Sequence, residues 1–232
     1  MNITLHTGTT TATITTSGAY ITSLTDERGD VFYPLQQLTT SDGAHKTRGG
    51  CHVCLPNFGP GGASGLAQHG FGRTSQWQVV EHTSDRVELV LQGSDAYAGL
   101  ESRLVYIVAE HQLAMQLTLA NVGEDELLVA PAFHPYFAYD GVPVLDGQSL
   151  SDLAPLAETI FVDGPTRQLA TGRRTITLQS EGLPRWAVWT DGLGPYLCIE
   201  PTHSGNSFAD SPSRTTVLVP GQTARYGVRV GW

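Results

Sequence analysis

The sequence predicts an all-β fold, a β-sandwich or barrel, with very little helix. Three observations carry that expectation. Apolar residues alternate with polar ones at a period of two in many short segments, turn signals separate those segments, and helical periodicity is scarce. Composition agrees: 26 glycines stand among 232 residues and only 15% of residues are charged, against about a quarter in an average globular domain.

The strands follow in order. Residues 10–15 and 18–25 flank the turn signal Ser17-Gly18, and 31–33 precede Ser41-Asp42-Gly43. Residues 76–82 form the next strand, followed by Val87, Leu89 and Leu91 in alternation and by 102–109. Leu113, Met115, Leu117 and Leu119 then point one way while Gln116 and Thr118 point the other, the pattern of a half-buried strand. Residues 126–133 lie beyond Asn121-Val122-Gly123. Residues 174–179, 186–190 and 195–200 come next, the last two separated at Asp191-Gly192. Residues 215–219 and the alternating Tyr226, Val228 and Val230 flank Pro220-Gly221. The one helix expected is short, over 151–158, with Ser151 as its cap. The stretch 138–173 is the least patterned, and the glycine-rich 59–65 reads as a site loop. No linker or repeat divides the chain, so a single domain over 1–232 is expected.

Charge and cysteine content narrow the function. The net charge is −9, and among 13 basic residues only Lys46 is lysine. Without a basic run, nucleic acid is not an expected partner. An anionic substrate would need a local cluster of arginines, because the overall field repels it. No apolar run is long enough for a membrane span, and MNITLHTGTT lacks the layout of a secretion signal. Three cysteines, an odd number, fit reduced thiols. The expectation is a cytoplasmic protein acting as a monomer or weak dimer.

Four clusters bear on chemistry. Cys51-His52-Val53-Cys54 contains a C-x-x-C pair, but it opens no helix and no second pair completes a zinc site, so an extended segment with small buried side chains is expected and no metal. Arg48-Gly49-Gly50 and Gln68-His69-Gly70-Phe71-Gly72-Arg73 bring two arginine forks, a glutamine and a histidine close together among glycines. That set suits a phosphate or paired sugar hydroxyls, or equally a solvated loop. Phe133-His134-Pro135-Tyr136-Phe137 offers a histidine among aromatics, structural or catalytic. Tyr196-Leu197-Cys198-Ile199-Glu200-Pro201 ends an apolar strand with a carboxylate. Such a group either turns outward or is buried and suited to act as a general base near neutral pH.

Taken together, RGG at 48–50, PNFG at 56–59, QHGFGR at 68–73 with Trp77, FHPYF at 133–137 and CIEP at 198–201 resemble the aldose 1-epimerase (galactose mutarotase) superfamily, most nearly its hexose-6-phosphate mutarotase branch. GAYITSL at 18–24 and the closing VLVPGQTARYGVRV at 217–230 add to the likeness, which runs in order over nearly the whole chain. The resemblance implies a β-supersandwich with a sugar or sugar phosphate in an open cleft. It implies Glu200 as general base, His134 as general acid in its imidazolium form, and Arg48, Gln68, His69 and Arg73 as substrate contacts. The implied reaction opens and recloses a pyranose ring and needs no metal or organic cofactor. Relatives also place an aspartate on a sugar hydroxyl, for which Asp146, Asp152, Asp163 and Asp191 are candidates. Asn57 departs from an aromatic residue common in the phosphate-specific branch. The competing readings are a mutarotase of unphosphorylated aldoses, a non-catalytic carbohydrate-binding module on the same scaffold, and a lyase or isomerase of a related sugar.

Overall fold

The structure, a computed structural model, describes residues Met1–Trp232. Two nine-stranded antiparallel sheets carry the chain. The first runs Asn2–Thr7, Thr10–Thr15, Ile21–Asp26, Gly29–Phe32, Ala132–Ala138, Tyr196–Thr202, Arg185–Trp189, Ile160–Asp163, with Cys51–Cys54 inserted beside Ala132–Ala138 and Ile21–Asp26. The second runs Gln148–Ser149, Val144–Leu145, Thr166–Ala170, Thr175–Glu181, Thr223–Gly231, Gln112–Asn121, Leu100–Ala109, Arg86–Gln92, Gln78–His82. Two ribbons stand apart, Gln36–Thr39 with His45–Arg48 and Leu127–Val129 with Thr216–Leu218. No helix is long and apolar enough to cross a membrane.

Alternation explains the second sheet. Along Gln112–Asn121, Leu113, Met115, Leu117 and Leu119 are buried while Gln112 and Gln116 face solvent. These leucines meet side chains of the first sheet in one continuous core. Cys51 Sγ lies 3.7 Å from Met115 Sδ, and the Tyr106 hydroxyl donates to the Ala19 carbonyl at 2.7 Å, so both apolar and polar contacts bridge the sheets.

The middle of the first sheet obeys a different rule. Cys51–Cys54, Ala132–Ala138 and Tyr196–Thr202 are covered on both faces. Val53, Phe133, Phe137, Leu197 and Ile199 turn into the core. With a side-chain period of two, His52, His134, Tyr136, Cys198 and Glu200 therefore share the opposite face. His52 pairs with His134 across one ladder. The register that joins Ala132 to Thr202 and Tyr136 to Cys198 brings His134 opposite Glu200, which stands beside Ala187. A row of residues across the sheet thus reads His52, His134, Glu200, Ala187.

Two expectations are corrected. The helix over 151–158 is a single tight turn, Ala154–Ala157, and Ser151 does not cap it. The Asp152 carboxylate instead accepts from the Ala154 amide at 3.0 Å, and in a helix capped by Ser151 Pro155 would have no amide to bond back to the Ser151 carbonyl. The strand expected over 126–133 is broken at Ala130-Pro131. Proline has no amide to continue a ladder, so the chain leaves the ribbon and enters the first sheet at Ala132.

Candidate active site

A cavity of about 450 Å³ opens on the outer face of the first sheet. All six residues singled out from the sequence line it: Arg48, Gln68, His69, Arg73, His134 and Glu200. Three local devices deliver them. Arg48 ends the ribbon strand His45–Arg48, and a glycine turn carries the chain from it into Cys51–Cys54. Gly50 in that turn has φ +67, and a Cβ there would lie 2.2 Å from the Ile21 carbonyl oxygen, so only glycine fits. Gln68, His69 and Arg73 come from the loop between Cys54 and Gln78. Buried Asn57 donates to the Gly59 and Ala67 carbonyls at 2.8 and 3.2 Å, and Trp77 Nε1 donates to the Gly72 carbonyl at 2.9 Å, so the loop is tied at both ends. His134 and Glu200 project from the sheet itself.

His134 Nε2 stands 3.2 Å from Glu200 Oε2, and both side chains are almost wholly buried. Burial pushes the Glu200 carboxyl well above its ordinary range and the His134 imidazole well below its own. The neighbouring His52, His69 and arginine charges push His134 further down. Burial therefore disfavours the charged form of both groups. The two groups lie close enough to act on one proton as a unit, and burial moves their affinities toward each other. His69 is brought down to about 3, by burial and then by Arg73, so its ring is neutral.

The two arginines differ. Arg48 Nε donates to Asp191 at 2.8 Å, its guanidinium lies 5.4 Å from the Trp189 ring centre, and Tyr196 hydrogen-bonds the other oxygen of Asp191. Although burial works against it, these bonds from Tyr196 and Arg48 hold Asp191 below the ordinary carboxylate range. Arg48 is thus a neutralised, oriented cation. Arg73 has no ion-pair partner; its Nη2 donates to the Gln68 carbonyl at 3.2 Å. It leaves the cavity wall with an uncompensated positive charge.

Phe58, Tyr136, Thr159, Trp189 and Asn206 complete the wall, with Gly59 and Pro60 from the glycine-rich loop. The remainder of that loop turns away beside Ser207–Asp210. Sequence reasoning missed Trp189 and Asn206 as site residues. Trp189 is in register with Cys198, two positions from Glu200, but Arg185–Trp189 is apolar at four of its five positions and marks neither face. Nothing local marks Asn206 or Thr159, which arrive through long-range packing. None of the four candidate aspartates lines the cavity: Asp191 acts through Arg48, Asp152 caps the turn at Ala154, Asp146 accepts from the Gln168 amide, and Asp163 faces Arg185. The C-x-x-C pair is split by the pleat, Cys51 toward the core and Cys54 outward, and all three cysteines are free and buried.

A profile of the aldose 1-epimerase family matches residues 1–180. The chain belongs to the aldose 1-epimerase family. Among family relatives, a Salmonella typhimurium protein with the provisional name glucose-6-phosphate 1-epimerase is 27% identical over 109 residues, which are 45% of this chain and 37% of that protein. A crystal structure from Synechocystis superposes with TM-score 0.79 at 20% identity, covering 100% of this chain and 95% of the other. A galactose mutarotase related enzyme from Lactobacillus acidophilus gives TM-score 0.77 at 16% identity, covering 100% and 97%. The fold is therefore the galactose mutarotase-like one expected from the sequence.

Proposed function

We propose that this chain is a mutarotase that interconverts the α and β anomers of a hexose 6-phosphate, working as one domain over residues 1–232. The observation that carries the reading is the His134–Glu200 pair, 3.2 Å apart and buried at the foot of a cavity whose wall bears one uncompensated arginine, Arg73. A group that only binds sugar needs hydrogen bonds and stacking; it gains nothing from burying an acid–base pair at a desolvation cost.

In the reactive form the shared proton sits on His134 and Glu200 is a carboxylate. Glu200 accepts the proton of the anomeric hydroxyl, the C1–O5 bond breaks, and His134 donates its proton to O5. The pair still holds one proton, now on Glu200. The aldehyde turns about C1–C2 and the steps reverse on the other face. Ring opening thus moves one proton from histidine to glutamate and ring closure returns it. Positioned acid–base groups supply roughly 10²–10⁴-fold each, and the spontaneous reaction needs no more than that to be outpaced.

The phosphate assignment rests on the unpaired Arg73 and is supported by the name of the Salmonella relative. Arg48, held by Asp191, and Gln68 and neutral His69 offer donors to the sugar hydroxyls. The test is magnetisation transfer between anomers by NMR, for glucose 6-phosphate, glucose and galactose at catalytic protein concentration. Fast exchange of the phosphate alone is the expected result. Exchange of a free sugar alone would remove the phosphate from the reading. No exchange with any of them would favour a carbohydrate-binding module.

A further inference from the structure

A catalytic imidazole is ordinarily oriented by a hydrogen bond to its second ring nitrogen. His134 has none: its Nδ1 is buried without a partner. Its ring is instead enclosed by other rings. Tyr136 stacks on it almost parallel, centres 4.8 Å apart at 9°, and His52 stacks at 4.8 Å and 27°. His69 meets it edge-on at 5.1 Å. Tyr20 in turn stacks on His52 at 4.8 Å.

His52 is not part of the cavity wall. It is 2% exposed, and neither of its nitrogens has a hydrogen-bond partner. Its contacts are with rings, Tyr20, His69 and His134, and it faces His134 across the ladder between Cys51–Cys54 and Ala132–Ala138. A buried ring with orphaned polar atoms costs stability, so its presence calls for a local reason.

We infer that His52 is a positioning residue for His134, its flat ring holding the plane of the acid's imidazole where no hydrogen bond to Nδ1 does so. This rests on the mutarotase reading above. The other titratable or charged groups around His134 are Glu200 and Cys198 on the adjoining strand, Tyr136 on its own, His69 from the loop, and Arg48 and Arg73 at the wall.

The test compares His52→Leu, which fills the space without a flat ring, with His52→Phe, which keeps the ring and removes the nitrogens. For H52L, kcat is expected to fall about 10- to 100-fold, the cost of a small misplacement of a reacting group, with KM nearly unchanged. H52F is expected to restore kcat to within about threefold and to keep the wild-type pH profile. Wild-type kcat in H52L, or an H52F loss as deep as that of H52L, would overturn the proposal; the second result would put the function in the nitrogens. A readout independent of turnover is the His134 ring by ¹⁵N–¹H NMR. One side-chain rotamer in wild type and H52F but several in H52L supports the proposal, and a single unchanged rotamer in H52L overturns it. If the wild-type protein anomerises no sugar, the mutarotase reading fails while the rotamer measurement still decides the role of His52.

Discussion

Glu200→Gln separates activity from stability in one substitution. The amide keeps the shape of the carboxyl but accepts no proton. Losing a positioned base costs roughly 10²–10⁴ in kcat, about 3–5 kcal/mol of transition-state stabilisation at 1.36 kcal/mol per decade. Stability moves the other way. Burial raises the folded-state affinity of Glu200 for its proton, so the stability it contributes is complete below the unfolded carboxyl range and drains away as pH rises through the folded value. E200Q has no such dependence. Its melting temperature relative to wild type should therefore climb as pH rises above the unfolded carboxyl range. The assays are anomer exchange by NMR and thermal melts from pH 5 to pH 9. An E200Q protein with wild-type exchange would refute the assignment of the base, and a melting difference flat in pH would refute the buried, proton-holding carboxyl.

Three further outcomes follow from the same geometry. Arg73→Ala should lower kcat/KM for a hexose 6-phosphate by roughly 10- to 150-fold, the worth of a hydrogen bond to a charged group, while a free aldose changes little; equal losses for both would exclude a phosphate contact. His52, His69 and His134 are all held neutral by burial, so each favours the folded state above the unfolded imidazole range and loses that advantage as pH falls below about 6.5, at about 1.4 kcal/mol per pH unit for each histidine. Denaturant titrations at pH 7 and pH 5 should show this loss, reduced in H52F. Gly59→Ala would set a Cβ 2.1 Å from Asn206 Oδ1 at φ +71; the expected results are about 1–2 kcal/mol of lost stability and a raised KM, with kcat nearly intact, read from melts and initial rates.

Much of this architecture was legible in the residues, and the reasons are local. Leu113, Met115, Leu117 and Leu119 declare a strand because one face is wet and the other dry. The alternation of Ile3 and Leu5 with Asn2, Thr4 and His6 holds the same signal for the first strand. Cys51–Cys54 and Ala132–Ala138 give no alternation because both faces are covered; the first is legible as an extended segment from its small side chains, while most of the second is hidden by its uniform burial. The short strands within 138–173, such as Ile160–Asp163, sit at exposed sheet margins where burial writes little into the sequence. At the site, the six named side chains could be found because they come in compact motifs. Asn206, Thr159 and the Asp191–Arg48 pair could not, since only the folded chain brings residues 143 positions apart into contact. The protonation of His134 and Glu200 was likewise out of reach, because it depends on how deeply each is covered.

The double-sided strands have a consequence for how the molecule fails. On Ala132–Ala138 and Tyr196–Thr202, each side chain that faces the cavity has chain neighbours that lock the two sheets together: Phe133 beside His134, Ile199 beside Glu200. No hinge or tether separates the reacting groups from the scaffold. Heat or a large-to-small change at Phe133 or Ile199 therefore disturbs chemistry and architecture in the same event. Improving turnover by loosening the region is closed to such a protein; variation has to enter through the loop bearing Gln68 and Arg73, where side chains can be exchanged without unseating either sheet.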